Sequence, residues 1–271
     1  MGFICGSLEA AHVGSNHSLD IEFKIGTILN WVHLPEPAIV RPPADTTEPD
    51  IGVVMAKVCV NNLFISLDGF AAGEFVTFDQ PIGDAQALFS YFDGRVIEGV
   101  HQINDAVTAD RALFAMWGQG IGAEIMGRKK FGPQSGPWPS DGWRGWWGDE
   151  PPFKTPCFVL THHPRAPMNF DNGTSFHFID AAPEAAFEMA TVAANGRNIR
   201  IGGGPSTVKQ FLAAGLIDFM HLVIVPVTLG RGVSLWDGLE GLEKDFTVES
   251  VTTASGLTHQ LWNRRVEGSS A

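Results

Sequence analysis

Cysteine is scarce: Cys5, Cys59 and Cys157 lie far apart and form no Cys-x-x-Cys pair. So sparse and odd a count excludes a disulfide scaffold and a cysteine zinc site. It fits reduced thiols, so a cytoplasmic location is expected. Cations are also few. Lys and Arg number 18 against 30 Asp and Glu, a formal net charge of −12. That balance argues against a nucleic-acid partner, because neutralising phosphates takes a cationic surplus. No apolar run reaches the roughly 18 residues of a membrane span, and no basic segment with a following apolar core opens the chain. Neither a membrane span nor a signal peptide is therefore expected. Absent too are His-Glu-x-x-His, Gly-x-Ser-x-Gly and the Lys-Ser/Thr that completes a phosphate-binding P-loop. Zinc-hydrolase, serine-hydrolase and kinase readings lose their usual signatures, and no metal is expected.

What the chain does have is apolar bulk. Of its 271 residues, 44% are hydrophobic, and a folded chain of this length buries roughly three quarters of its unfolded surface. Residues 1–52 read differently from the rest. Pro35, Pro37, Pro42, Pro43 and Pro49 interrupt them, and the one apolar piece, 21–31, is too short for a core. That composition predicts a Pro-rich, poorly ordered arm ahead of one domain over 53–271. Strands are expected at 57–65, 121–126, 157–161, 176–179, 198–202 and 218–226, with a closing hairpin of 245–254 and 257–266 about Ser255-Gly256. Helices are expected at 84–92, 105–117, 180–195 and 206–214. Strands alternating with helices and ending on a hairpin predict an α/β fold, its sheet mostly parallel with an antiparallel edge.

Three expected strands run straight into ligand-type loops. Ile199-Arg200-Ile201 leads into Gly202, Gly203 and Gly204, then Pro205, Ser206 and Thr207 at a helix start. Glycines let backbone approach a ligand, and free amides at a helix N-terminus favour an anion; a tight turn without ligand is the plain alternative. Ile125-Met126 leads into Gly127, Arg128, Lys129 and Lys130, where a phosphate would find cations; a solvated basic turn is the plain alternative. Phe158 to Leu160 leads into Thr161, His162, His163, Pro164 and Arg165. In open α/β sheets ligands bind outside the carboxyl ends of strands, and one dinucleotide across these three ends accounts for all three segments.

The order of Met126-Gly127-Arg128, Leu160-Thr161-His162-His163-Pro164 and Ile201-Gly202-Gly203-Gly204 resembles the dihydrofolate reductase fold. It is still more similar to the reductase domain of bacterial riboflavin biosynthesis and to a stand-alone bacterial subgroup related to it. Ser66-Leu67-Asp68-Gly69-Phe70, the stretch from His221 to Gly232, and the Trp-rich segment from Gly136 to Asp149 are typical of that branch. The resemblance spans about 55–266 and implies a three-layer α/β/α sandwich.

The resemblance further implies NADPH lying across the strand ends. Gly127, Arg128 and Lys129 would hold the pyrophosphate and the adenosine 2′-phosphate. Thr161 and His162, helped by Arg165, match the contact to the adenosine ribose phosphate. Gly202, Gly203, Gly204, Ser206 and Thr207 would cradle the pyrophosphate. Asp68 is the candidate catalytic and substrate contact, or else an Asp capping its own turn. Trp138 and Trp147, with Trp143 and Trp146, either stack on a flat substrate or pack a long loop onto the body. A carboxylate serving the substrate ring, as in dihydrofolate reductases, has four unranked candidates in Asp79, Asp84, Asp93 and Glu98. Pro205 stands where the compared dihydrofolate reductase carries Arg, which speaks against folate. No deaminase domain fits in the 52-residue arm. The expectation is a homodimeric NADPH-dependent reductase delivering hydride to C=N or C=O of a small pterin- or pyrimidine-like heterocycle. An NADPH-sensing protein without turnover is the alternative, separated from it by NADPH oxidation with any acceptor.

Overall fold

The structure is a computed structural model, and it describes residues 56–90, 105–139 and 142–266. The expected arm at 1–52, together with Asp93 and Glu98, lies outside the described residues. Chain order runs β1 (Val58–Ser66), β2 (Phe70–Ala72), α1 (Ala87–Ser90), α2 (Asp105–Phe114), β3 (Ile121–Gly127), α3 (Arg128–Phe131) and β4 (Pro156–Leu160). It continues with β5 (Arg165–Asn169), β6 (Ser175–Ile179), α4 (Pro183–Ala194), β7 (Asn198–Gly203) and α5 (Pro205–Ala213). The chain closes through β8 (Phe219–Val225), β9 (Val233–Ser234), β10 (Phe246–Thr252) and β11 (Thr258–Arg264).

Nine strands form one sheet in the order β10-β11-β8-β1-β7-β3-β4-β6-β5, and β2 pairs with β9 apart from it. The six strands from β8 to β6 are mutually parallel. Their sequences read as near-continuous apolar runs because helices and loops cover both faces. The closing hairpin of β10 and β11 docks antiparallel on β8, as expected. The opposite edge carries an antiparallel strand that the sequence did not reveal, β5 against β6. Its burial is patchy and it contains Pro167. Proline is tolerated there because an edge strand has one side free of ladder bonds.

Alternation along each strand divides the core. Ile199 and Ile201 of β7, Ile125 of β3, and Met220 and Leu222 of β8 pack with Ala186, Ala190, Val208 and Phe211 of α4 and α5. Pro183 opens α4 at its first turn, where its missing N–H costs nothing. On the other face Met126, Cys157, Val159, Phe176 and Phe178 meet Phe131 and the Trp-rich loop. Leu88, Phe114, Val223 and Val225 continue that face beneath α1 and α2. The expected α/β architecture is the one observed.

Two polar groups interrupt this second face. Glu124 and Arg200 stand side by side on β3 and β7. Arg200 Nε donates to Glu124 Oε2 at 2.8 Å, Nη2 donates to the same oxygen, and both side chains are fully buried. Burial raises the Glu124 carboxyl above its usual range in spite of Arg200. Further along, His221 Nδ1 lies 2.8 Å from Asn62 Oδ1, His221 Nε2 lies 2.9 Å from His259 Nδ1, and His259 Nε2 lies 2.9 Å from Asp110 Oδ1. Burial, with His259 alongside, pushes the His221 imidazole down to about 3, so it is neutral at ordinary pH. The chain fastens the closing hairpin to α2 through groups that are otherwise removed from water.

Candidate functional site

Because β1, β7, β3 and β4 are parallel neighbours, their carboxyl ends form one rim. Along it lie Asp68 beyond β1, Gly203 and Gly204 at β7, Gly127 and Arg128 at β3, and Thr161 and His162 beyond β4. Gly127 and Thr207 meet there: a Cβ on Gly127 would overlap the Thr207 hydroxyl, so only glycine lets α5 approach β3 this closely. Gly202 has a similar reason on the other face, where a Cβ would overlap Glu124 Oε1. Gly203 and Gly204 differ. A Cβ at either would meet nothing within 4 Å, so their backbone borders open space.

Arg128 begins α3. Its Nη1 donates to Thr161 Oγ1 at 3.3 Å, and Thr161 Oγ1 also accepts from His163 N at 3.1 Å. Its Nε and Nη2 are buried and have no acceptor among the described residues. Burial lowers its pKa from the usual arginine value. The Trp138 ring centroid lies 3.8 Å from the Arg128 guanidinium carbon and 4.0 Å from that of Arg165. Arg165 also stands 4.1 Å from the Phe178 ring. Lys129 is exposed, as is Ser206. The His162 ring is 92% exposed, with Nδ1 3.0 Å from Asp180 Oδ1. The structure thus gathers Gly127, Arg128, Thr161, Arg165, Gly203 and Thr207, while His162 reaches outward from the same rim.

Buried N–H groups without acceptors, next to open glycine backbone, suit a phosphate-bearing nucleotide. The chain matches the RibD C-terminal domain over residues 57–258. It belongs to the RibD C-terminal domain family. Three solved structures are similar to it. A candidate riboflavin biosynthesis protein of Shewanella sp. PV-4 is 20% identical, covering 78% of this chain and 100% of its own, at a TM-score of 0.47. A pyrimidine reductase-like protein of Corynebacterium diphtheriae is 15% identical over 78% and 93% of the two chains, at 0.40. A diaminohydroxyphosphoribosylaminopyrimidine deaminase/5-amino-6-(5-phosphoribosylamino)uracil reductase of Thermotoga maritima is 12% identical over 78% and 57%, at 0.42. No curated protein matches the chain. Family membership rests on the domain match.

In this RibD C-terminal domain Asp68 is tied to a neighbouring loop. Ser66 Oγ donates to its Oδ1, Leu229 N to both oxygens at 3.1 Å, and Gly230 N to Oδ2 at 2.6 Å. The Ser66 hydroxyl, then the Gly230 and Leu229 amides, lower its pKa to about 2. Asp68 is therefore ionised at neutral pH and serves as an acceptor. Since its folded pKa lies below the unfolded value, the tie is complete above about pH 4 and is lost as pH falls through about 2. Asp68→Asn is expected to speed amide hydrogen exchange at Leu229 and Gly230 several-fold at neutral pH, screening at the exposed carboxylate keeping the effect modest. Unchanged exchange at both amides would sink the assignment.

The remaining expected residues divide. Asp84 binds Glu74 N at 3.1 Å and Arg231 Nε at 2.8 Å, fastening the segment after β2, whereas Asp79 is exposed. Trp147 stacks on Phe176 at 15° and meets Phe153 edge-on, the contacts of a loop-packing residue. A cleft of about 590 Å³ opens beside α5, walled by Lys209, Gln210, Gly232 and Asp237, and of the expected site residues it includes Ser206. Glu124 and Arg200 were not singled out as a pair. Their signal was present as single opposite charges inside two apolar strands.

Proposed function

We propose that the chain is an NADPH-dependent reductase that delivers hydride to a C=N or C=O bond of a small pterin- or pyrimidine-like heterocycle. The observation that carries this reading is Arg128, held by Thr161 at the strand rim with two donor nitrogens awaiting an acceptor. Family membership supports the reductase class. Arg128 and Arg165, with Lys129 and His162 at the rim, take the 2′-phosphate. Gly203 and Gly204, whose backbone borders open space, face the pyrophosphate together with Ser206 and Thr207, with Gly127 and Gly202 making room for their neighbours. NADPH, when bound, supplies the hydride. Asp68, ionised and exposed at the rim, is the acceptor for an N–H of substrate or carboxamide. Val248 and Val251 on the exposed edge strand β10 support the homodimer as part of the proposal.

The test is a tryptophan-fluorescence titration with NADPH and NADH in parallel. NADPH is expected to bind at least about tenfold more tightly, the equivalent of one charge-assisted contact. Binding of neither nucleotide overturns the proposal. Tight NADPH binding with no oxidation by any heterocyclic imine or carbonyl acceptor would leave a cofactor sensor instead.

A further inference from the structure

The Arg128 guanidinium is badly provided for. One nitrogen bonds Thr161, and the other two are shielded from water with no acceptor among the described residues. A buried donor without an acceptor is costly, and native proteins keep few of them. Its central carbon lies over the Trp138 indole, and that of Arg165 lies over the same ring. The indole is itself anchored, because its Nε1 donates to His163 O. Close by, both amide atoms of Gln134 are buried without partners among the described residues. These unmet groups fall on one short stretch, α3 and the loop after it, while Trp147 of the same loop packs into the core. Two cations thus share one aromatic ring.

A phosphate oxygen must come within about 2.7–2.9 Å of a guanidinium N–H. With Nε and Nη2 shut away from solvent, neither can meet one while the guanidinium keeps this position. We propose that the Arg128–Trp138 stack is a latch on the phosphate site, and that a phosphate monoester opens it by drawing Arg128 off the indole. The inference rests on the reading of Arg128 and Arg165 as the 2′-phosphate pair. It gives Trp138 a role opposite to a stacking platform for substrate or adenine. Energy that stabilises the closed arrangement is subtracted from anion affinity, since only the open arrangement binds. Cation–π contacts at partly desolvated rings are strong enough to matter. The latch therefore lowers the apparent affinity of every anion that needs the open arrangement by the same factor.

The experiment titrates adenosine 2′,5′-bisphosphate into the full chain and into Trp138→Leu, with adenosine 5′-monophosphate as the matched control. The variant is expected to bind the bisphosphate about tenfold more tightly, with the monophosphate unchanged. Equal or weaker bisphosphate binding by the variant overturns the latch, and weaker binding would establish a stacking platform. If the unsubstituted chain does not prefer the bisphosphate to the monophosphate, the 2′-phosphate reading itself fails and the latch falls with it. Acrylamide quenching of the unsubstituted chain gives a readout that does not depend on the variant's folding. Bisphosphate is expected to raise tryptophan quenching as the indole is released, and unchanged quenching at saturation counts against the proposal.

Discussion

Glu124→Ala is expected to lower the stability of the fold by about 3–5 kcal/mol, because it leaves the Arg200 charge buried without its counter-ion. For a domain of this size that is a fall in Tm on the order of 10 °C, measurable by calorimetry or circular dichroism. Replacing both partners, as Glu124→Leu with Arg200→Met, should restore stability to near the original. Desolvating two charges costs about as much as their attraction returns, and the raised carboxyl of Glu124 reflects that cost. Gly202→Ala couples to the same site, since its Cβ would overlap Glu124 Oε1. The glycine substitution should be harmful alone and far less so alongside Glu124→Ala. A double-mutant cycle measures this, and additive effects would refute the steric coupling.

Arg128→Met is expected to weaken NADPH binding by about 10- to 100-fold, the loss of charge-assisted bonds to one phosphate. NADH binding should change little, because NADH lacks the phosphate that Arg128 is proposed to hold. Isothermal titration of both nucleotides distinguishes this from general damage. Equal losses for the two would mean that Arg128 serves the pyrophosphate or the fold. The thermal midpoint should hardly move. Arg128 bonds only Thr161 among the described residues and lies partly exposed at the start of a four-residue helix, so its removal also relieves two unmet donors.

Much of the frame was legible because it follows from near neighbours in the chain. β3, β4, β7 and β8 are short apolar runs closed by glycine or polar residues, and such runs declare a strand buried on both faces. The turn at Ser255-Gly256 announced its hairpin, and Pro183 with Gly196 marked the limits of α4. β5 escaped because Arg165-Ala166-Pro167-Met168-Asn169 has no apolar alternation; it is a strand only through pairing with β6. The helix expected at 105–117 stops at Phe114 and tightens into a 3-10 turn over Ala115–Gly118.

By itself the sequence determined the order of the parallel strands, the closing hairpin and the main helices, and it placed Gly127, Arg128, Thr161, His162 and Gly202–Gly204 at three strand ends. Those features depend on local propensity and on motifs a few residues long. Only the tertiary structure decided what those residues touch. Asp68 holds Leu229 and Gly230, more than 160 residues away. Arg200 reaches Glu124 across 76 residues through strand register, and Trp138 lies against Arg128 and Arg165 rather than in open loop. Contacts of this kind arise from which strands become neighbours and which side chains fill the space between them. That depends on packing the whole chain at once, so no local window of sequence can carry it.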